Sequence, residues 1–132
     1  MAKLKAHPKT YQQAREALAG RESVKLGNNT YLELVPMSNE NNLPCDIAVR
    51  LHNVNIVVFH ADGSITLHTY GRGADGITKH WHTVTTKDRI NEFISGRVYQ
   101  QDHQWYYREY AADGSPYDVI FAEGMNVGQV TA

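Results

Sequence analysis

One cysteine, Cys45, is all that the 132 residues contain. An internal disulfide is therefore impossible, and such sparing use of cysteine suits a reducing compartment. Pro44 precedes the thiol and Asp46 follows it. A neighbouring carboxylate disfavours the thiolate, so Cys45 reads as a packing residue, not a nucleophile. No apolar run approaches the roughly 18 residues of a membrane-spanning helix. No apolar stretch follows Met1-Ala2-Lys3-Leu4-Lys5. No signal peptide is expected, and the chain should stay where it is made. Neither sign of charge dominates: 13 Lys and Arg stand against 14 Asp and Glu, for a net charge of −1. That balance gives no global pull toward nucleic acid or an anionic membrane. What remains is ordinary globular material, 42% hydrophobic and 20% charged. It is enough for one core, so residues 1–132 are expected to form one domain. Histidine is abundant, with 7 residues, and its charge changes near neutral pH.

The chain opens with a helix expected over Thr10–Ala19. Thr10 and Gln13 have capping-box spacing, Tyr11, Ala14 and Leu18 form an apolar stripe, and Gly20 supplies the stop. The period then changes to two. Ser23–Leu26 and Thr30–Val35 flank a Gly27-Asn28-Asn29 turn, and residues 36–44 read as a loop. Ile47–His52, Asn55–His60 and Ser64–Tyr70 read as a three-strand meander turning at Asn53-Val54 and Asp62-Gly63. Residues 71–80 read as a glycine-rich loop, followed by a short strand at Trp81–Val84. A second helix is expected over Thr86–Ser95, capped by Thr85 or Thr86 and stopped by Gly96. Ile90, Phe93 and Ile94 form its buried stripe, with Lys87, Arg89 and Glu92 mostly outside it. Arg97–Gln101, His103–Tyr110 and Tyr117–Phe121 return to strand, with a turn at Asp113-Gly114 and a fraying tail from Asn126. The fold class is α+β: an antiparallel sheet of six to eight strands packed with two short helices.

Two-residue turns at Asn53-Val54 and Asp62-Gly63 fix a register, and cross-strand partners share a face. One face then carries Ile47, Val49, Leu51, Ile56, Val58, Ile65 and Leu67 and forms the core. The other carries Arg50, His52, Asn55, Val57, Phe59, Thr66, His68 and Tyr70. In this register His60 points away from His52 and His68.

That mixed face is the candidate site. Arg50, His52 and His68 offer cations to phosphates, and Phe59 and Tyr70 offer rings on which bases stack. Arg72, Lys79, Lys87 and Arg89 extend a basic rim. Other chemistry is weaker. His80 and His82 supply two ligands on one side of a strand, short of the three or four of a zinc site, so no metal or other cofactor is expected. No GxSxG elbow or Cys-His pairing is visible. Gly71-Arg72-Gly73-Ala74-Asp75-Gly76 mimics a dinucleotide fingerprint, but no strand-to-helix turn accommodates it. In Trp105-Tyr106-Tyr107 the outer two rings are expected in the core and Tyr106 at the surface.

Several stretches carry a resemblance. They are Lys25–Glu33 (KLGNNTYLE), Ile47–Asn53 (IAVRLHN), Val57–Gly63 (VVFHADG) and Trp81–Asn91 (WHTVTTKDRIN), with Val98-Tyr99-Gln100 and Gln104-Trp105-Tyr106 downstream. Together they resemble a family of small tailed-bacteriophage proteins with a WxTVTTKDRIN-type motif. The resemblance implies a phage origin and residence in the bacterial host cytoplasm, and it carries over no catalytic residue. The chain departs from the family where residues 71–80 replace a short turn before the tryptophan. The function expected is a phage-encoded, non-enzymatic interaction protein that binds and modulates a host protein, one used in defence being a candidate. The alternatives are nucleic-acid binding through the cationic-aromatic face, and metal or nucleotide binding through the histidines. Exposed strand edges also allow a homodimer.

Overall fold

A computed structural model describes residues 4–35, 45–72 and 76–127. In chain order they form α1 (Tyr11–Leu18), β1 (Ser23–Gly27), β2 (Thr30–Val35), β3 (Asp46–Leu51), β4 (Val54–Phe59) and β5 (Ile65–Leu67). Then follow β6 (Tyr70–Arg72), β7 (Thr78–His80), α2 (Val84–Asn91), β8 (Arg97–Gln101), β9 (Gln104–Tyr110) and β10 (Pro116–Ile120). The fold is α+β, and its strands form three antiparallel sheets instead of one: the meander β1-β2-β3-β4-β5, the sheet β10-β9-β8 and the ribbon β6-β7. The loop expected over residues 36–44 and positions 73–75 of the glycine-rich run lie outside the described residues.

Local chemistry sets the helix ends. Thr10 Oγ1 accepts from the Gln13 amide at 3.1 Å, while Gln13 Oε1 accepts from the Lys9 amide at 2.8 Å. Ala19 closes α1 in the left-handed region. At α2 the cap is Thr83, whose hydroxyl accepts from the Thr86 amide at 3.2 Å. The helix therefore starts at Val84, and the strand expected over Trp81–Val84 is instead the approach to this cap. The strands before it are Tyr70–Arg72 and Thr78–His80, within the stretch expected to be loop.

Both expected turns of the meander change: the first moves back by one residue and the second gains one. The first turn residues are His52, with φ 55°, and Asn53. Leu51 therefore pairs with Val54. A bulge follows: Arg50 pairs with Asn55 but Val49 pairs with Val57, leaving Ile56 unpaired. Ile56 and Val57 are both fully buried as a result. The second loop has three residues, Ala61-Asp62-Gly63. His60 N donates to Ser64 O at 2.8 Å, and Gly63 takes φ 94°. Ala112-Asp113-Gly114-Ser115 repeats both the sequence and the loop. Ala111 N donates to Ser115 O, Gly114 takes φ 87°, and in each copy the aspartate accepts from the serine amide. Such loops place glycine at the left-handed position. Moving the first turn leaves the faces unchanged, but the extra residue of the bulge exchanges them for the rest of β4: Val57 and Phe59 point into the core, and Val58 points out.

The core joins the inner face of the meander to both helices. Leu32, Ile47, Val49, Val57, Phe59 and Leu67 pack in one cluster with Ala14 and Leu18 of α1 and Ile90 and Phe93 of α2. Trp105 and Tyr107 of β9 complete the cluster, as their alternation requires, while Tyr106 is half-buried. Gly96 lets β8 approach β9, since a Cβ there would sit 2.3 Å from Tyr107 Oη and 2.4 Å from the Arg108 carbonyl.

The sheet edges differ. Asn91 covers one position of the β8 edge: its side chain donates to Val98 O at 2.8 Å and accepts from Val98 N at 2.7 Å. The segment Met125–Val127 closes β5. Leu67 N donates to Met125 O, Val127 N donates to Ile65 O, and Asn126 bridges to Thr66. Asn126 and Val127 are thus anchored, not frayed. Among the described residues, β10 has no backbone partner beyond β9.

Candidate functional site

Slippage of the register divides the expected cationic-aromatic face. Arg50 and Asn55 do point outward, but Phe59 is fully buried and stacks nothing outside. Arg50 is itself engaged. Its Nε donates to Glu33 Oε1 at 2.9 Å, its NH2 donates to Glu33 Oε2 at 3.1 Å, and NH1 donates to the His52 carbonyl. The guanidinium also lies 4.5 Å from the Tyr31 ring centroid. This bidentate bond holds the Glu33 carboxyl below its usual range against the opposing effect of burial. Arg50 is thus committed within the fold, and His52 sits in its turn with its carbonyl as an acceptor.

Around the next part of the face runs a chain of hydrogen bonds absent from the expected register. Asp46, at the start of β3, places Oδ2 2.8 Å from His60 Nδ1, and its Oδ1 accepts from the Ala61 amide at 3.0 Å. His60 Nε2 lies 2.8 Å from Thr66 Oγ1 on β5, and His68 Nε2 lies 2.8 Å from the same oxygen. His60 therefore shares a face with His68, contrary to expectation, because the loop before β5 has three residues. His68 Nδ1 lies 3.4 Å from Glu123 Oε2, and His80 Nδ1 lies 3.4 Å from Glu123 Oε1. Burial pushes the Glu123 carboxyl up. The amide and hydroxyl of fully buried Thr69, with the Tyr70 amide, outweigh it and bring the carboxyl below its usual range.

Beyond His80 the surface becomes aromatic. Tyr70 and His80 face each other across the ribbon with ring centroids 4.9 Å apart. His82 stacks on Trp105 at 4.4 Å, nearly parallel. Arg72, Lys79, Tyr70 and His80 are exposed on the ribbon, with Lys79 over the Trp81 ring. Of the candidates, His68, Tyr70 and Arg72 are thus linked into one surface through Glu123 and His80, and Arg50 and His52 form a separate group. Lys87 and Arg89 belong to α2, which packs on the core side of the meander. Lys87 is partly buried, and Arg89, expected on the rim, is buried. Among the described residues no group of three or more His, Cys, Asp or Glu side chains has the geometry of a metal site. No described helix is long and apolar enough to cross a membrane.

The shifted groups make a pH prediction. Burial, assisted by His80, lowers the His82 pKa. The folded state then binds that proton less tightly than the unfolded state does. His82 therefore contributes stability that is complete above the unfolded imidazole value of about 6.5 and declines as the pH falls below it. Glu33 and Glu123 have the same sign in a lower window, below about pH 4.3. In urea unfolding, wild type is expected to lose stability relative to His82→Gln between about pH 7 and pH 5. A difference that stays flat or grows in favour of wild type over that interval contradicts the assignment.

No curated protein and no solved structure matches the chain. The Kyanoviridae Gp96 protein family matches residues 7–128, a span that takes in both helices and every strand. With nearly its whole length covered, the chain belongs to the Kyanoviridae Gp96 protein family, a family of tailed phages.

Proposed function

We propose that this phage protein acts by binding a protein of the infected host cell through the open edge of β10. The observation that carries this reading is that all of β10 is exposed on a sheet whose opposite edge Asn91 covers at Val98. The bonds Ala111 N to Ser115 O and Phe121 N to Trp105 O fix which β10 groups face β9. By alternation, the N–H and C=O of Asp118 and Ile120, with the Pro116 carbonyl, face outward. An extended segment of a partner adds there as a further strand. Tyr117 and Ile120, 50% and 62% exposed on opposite faces, supply anchors beside it. An unpaired edge flanked by tyrosine and isoleucine is otherwise an aggregation hazard.

Capture from infected cells with tagged protein tests the reading. One stoichiometric host protein is expected with wild type, and its recovery should fall at least about tenfold with Ile120→Lys and with Ile120→Pro. Proline there removes an outward N–H while leaving the bonds to β9 intact. Circular dichroism checks that both variants remain folded. Recovery that neither substitution changes contradicts this use of β10.

A second reading rests on the β6–β7 ribbon, where Tyr70, Arg72, Lys79 and His80 are all exposed. A cationic ribbon with stacking rings suits a nucleic-acid strand. Salt-sensitive binding of a short single strand, lost in Arg72→Ala and Lys79→Ala, supports it. Absence of binding at low salt removes it.

A further inference from the structure

We propose that Thr66 is an activated hydroxyl, able to take an acyl group from a small carboxylic ester, with His60 as its base and Asp46 positioning that base. The site lies on the open face of the meander and is independent of the β10 reading. Three strands build it: Asp46 begins β3, His60 follows β4, and Thr66 is the centre of β5. The separations are those of a nucleophile, a base and an orienting carboxylate: 2.8 Å from Thr66 Oγ1 to His60 Nε2, and 2.8 Å from His60 Nδ1 to Asp46 Oδ2. Asp46 is itself fixed by the Ala61 amide at 3.0 Å.

Donor arithmetic sets the direction of the proton. An ionised carboxylate only accepts, so the neutral His60 ring carries its hydrogen on Nδ1, and Nε2 is bare. The bare nitrogen must accept, so the Thr66 hydroxyl points its proton at it. The oxygen of Thr66 then accepts from His68 Nε2, also at 2.8 Å, when that ring is the imidazolium, whose other N–H, on Nδ1, faces Glu123 Oε2 at 3.4 Å. One hydroxyl thus has a base on its proton and a donor on its oxygen. Thr66, His60 and His68 are only partly buried, and the side chains of His60 and Asp46 are 29% and 35% exposed. The face that carries the three side chains is therefore open to solvent in part.

In the step itself Thr66 Oγ1 bonds to the ester carbonyl carbon as its proton passes to His60 Nε2. The carbon–oxygen bond to the leaving alcohol breaks, and His60 returns the proton to that oxygen. The acyl group remains on Thr66. Water then attacks the acyl carbon, losing a proton to the same nitrogen, and releases the carboxylic acid as Thr66 recovers its hydrogen. His68 Nε2 lies 2.8 Å from the attacking oxygen, and Glu123 Oε2, 3.4 Å from Nδ1, positions its ring. The charged and titratable groups facing His60 are Asp46 from β3, Asp62 from the turn, and His68 with Glu123 beyond Thr66.

The test uses the full chain and p-nitrophenyl acetate as the acyl donor, with peptide mapping to locate the acetyl group. Acetylation of Thr66 is expected, with its rate falling on the order of 10²-fold or more in His60→Gln. Asp46→Asn should slow it as well, and Thr66→Ser should retain acetylation at residue 66. Unfolding curves establish that His60→Gln remains folded, and the serine variant tests the chemistry with the hydrogen-bond chain intact. Acetyl groups confined to lysines, histidines or the amino terminus overturn the proposal. So does a Thr66 adduct whose rate is the same in His60→Gln.

Discussion

Phe59→Ala is expected to destabilise the protein by about 3–5 kcal/mol. For a chain of this size that is on the order of 10–20 °C in Tm. Phe59 is fully buried at the end of β4, between Ile47 and Ile65, its partners on β3 and β5. Truncation removes the transfer free energy of a benzyl group and leaves a void that strands tied on both sides cannot collapse to fill. Val58→Ala, one residue away, serves as the comparison. Val58 is on the reverse face, partly exposed, so its truncation should cost well under half as much. Urea unfolding of the two variants gives the measurement. A loss below about 1 kcal/mol for Phe59→Ala, or a larger loss for Val58→Ala, would place the phenylalanine outside, as a base-stacking role requires.

The same residue shows what the sequence discloses and where it stops. Strand and helix positions follow from period, caps and turn residues, and most fall within two residues of expectation. Register is a finer quantity. Asp62-Gly63 marks a turn in either case, but only the hydrogen bond from His60 to Ser64 makes the loop three residues long. The signal was present: Ala-Asp-Gly-Ser occurs twice, and a serine just after the glycine can hydrogen-bond back to the aspartate. The bulge at Ile56 has no comparable mark, because isoleucine, valine and valine in succession suit a regular strand equally well. The extra residue of the bulge turns over the faces of Val57, Val58 and Phe59, while Ile47, Val49, Ile65 and Leu67 keep theirs. A regular two-residue hairpin therefore puts Phe59 at the surface and separates His60 from His68. The chain from Asp46 to Glu123 could not be assembled without both corrections, and Glu123 comes from a segment that pairs with β5 far from it in sequence. The ribbon β6–β7 was hidden for another reason. Its strands are short and exposed, with too few apolar residues to show a period of two.

Arg89→Met is expected to stabilise the protein by about 1–3 kcal/mol, against the usual direction of substitutions at buried positions. Arg89 is 4% exposed, and neither its Nε nor its NH1 has a hydrogen-bond partner among the described residues. Its NH2 lies against Gly27, whose added Cβ would be 4.0 Å away, beside Leu4. The position follows from helical spacing. Arg89 stands three residues after Thr86 and four before Phe93, and both of these are buried, so the chain carries it inward whatever its charge. The two buried nitrogens lose their hydration and gain no compensating bond, a cost on the order of 1–3 kcal/mol or more for a charged group. Methionine keeps much of the length and flexibility of the side chain while removing the charge, so the surroundings can repack without a large void. Lysine is the informative contrast: it retains the buried charge and should be no more stable than wild type. Urea unfolding at neutral pH distinguishes the three proteins. If Arg89→Met instead loses 1 kcal/mol or more, the guanidinium has an acceptor in solution. If it gains, the buried guanidinium lowers the stability of the fold at that position.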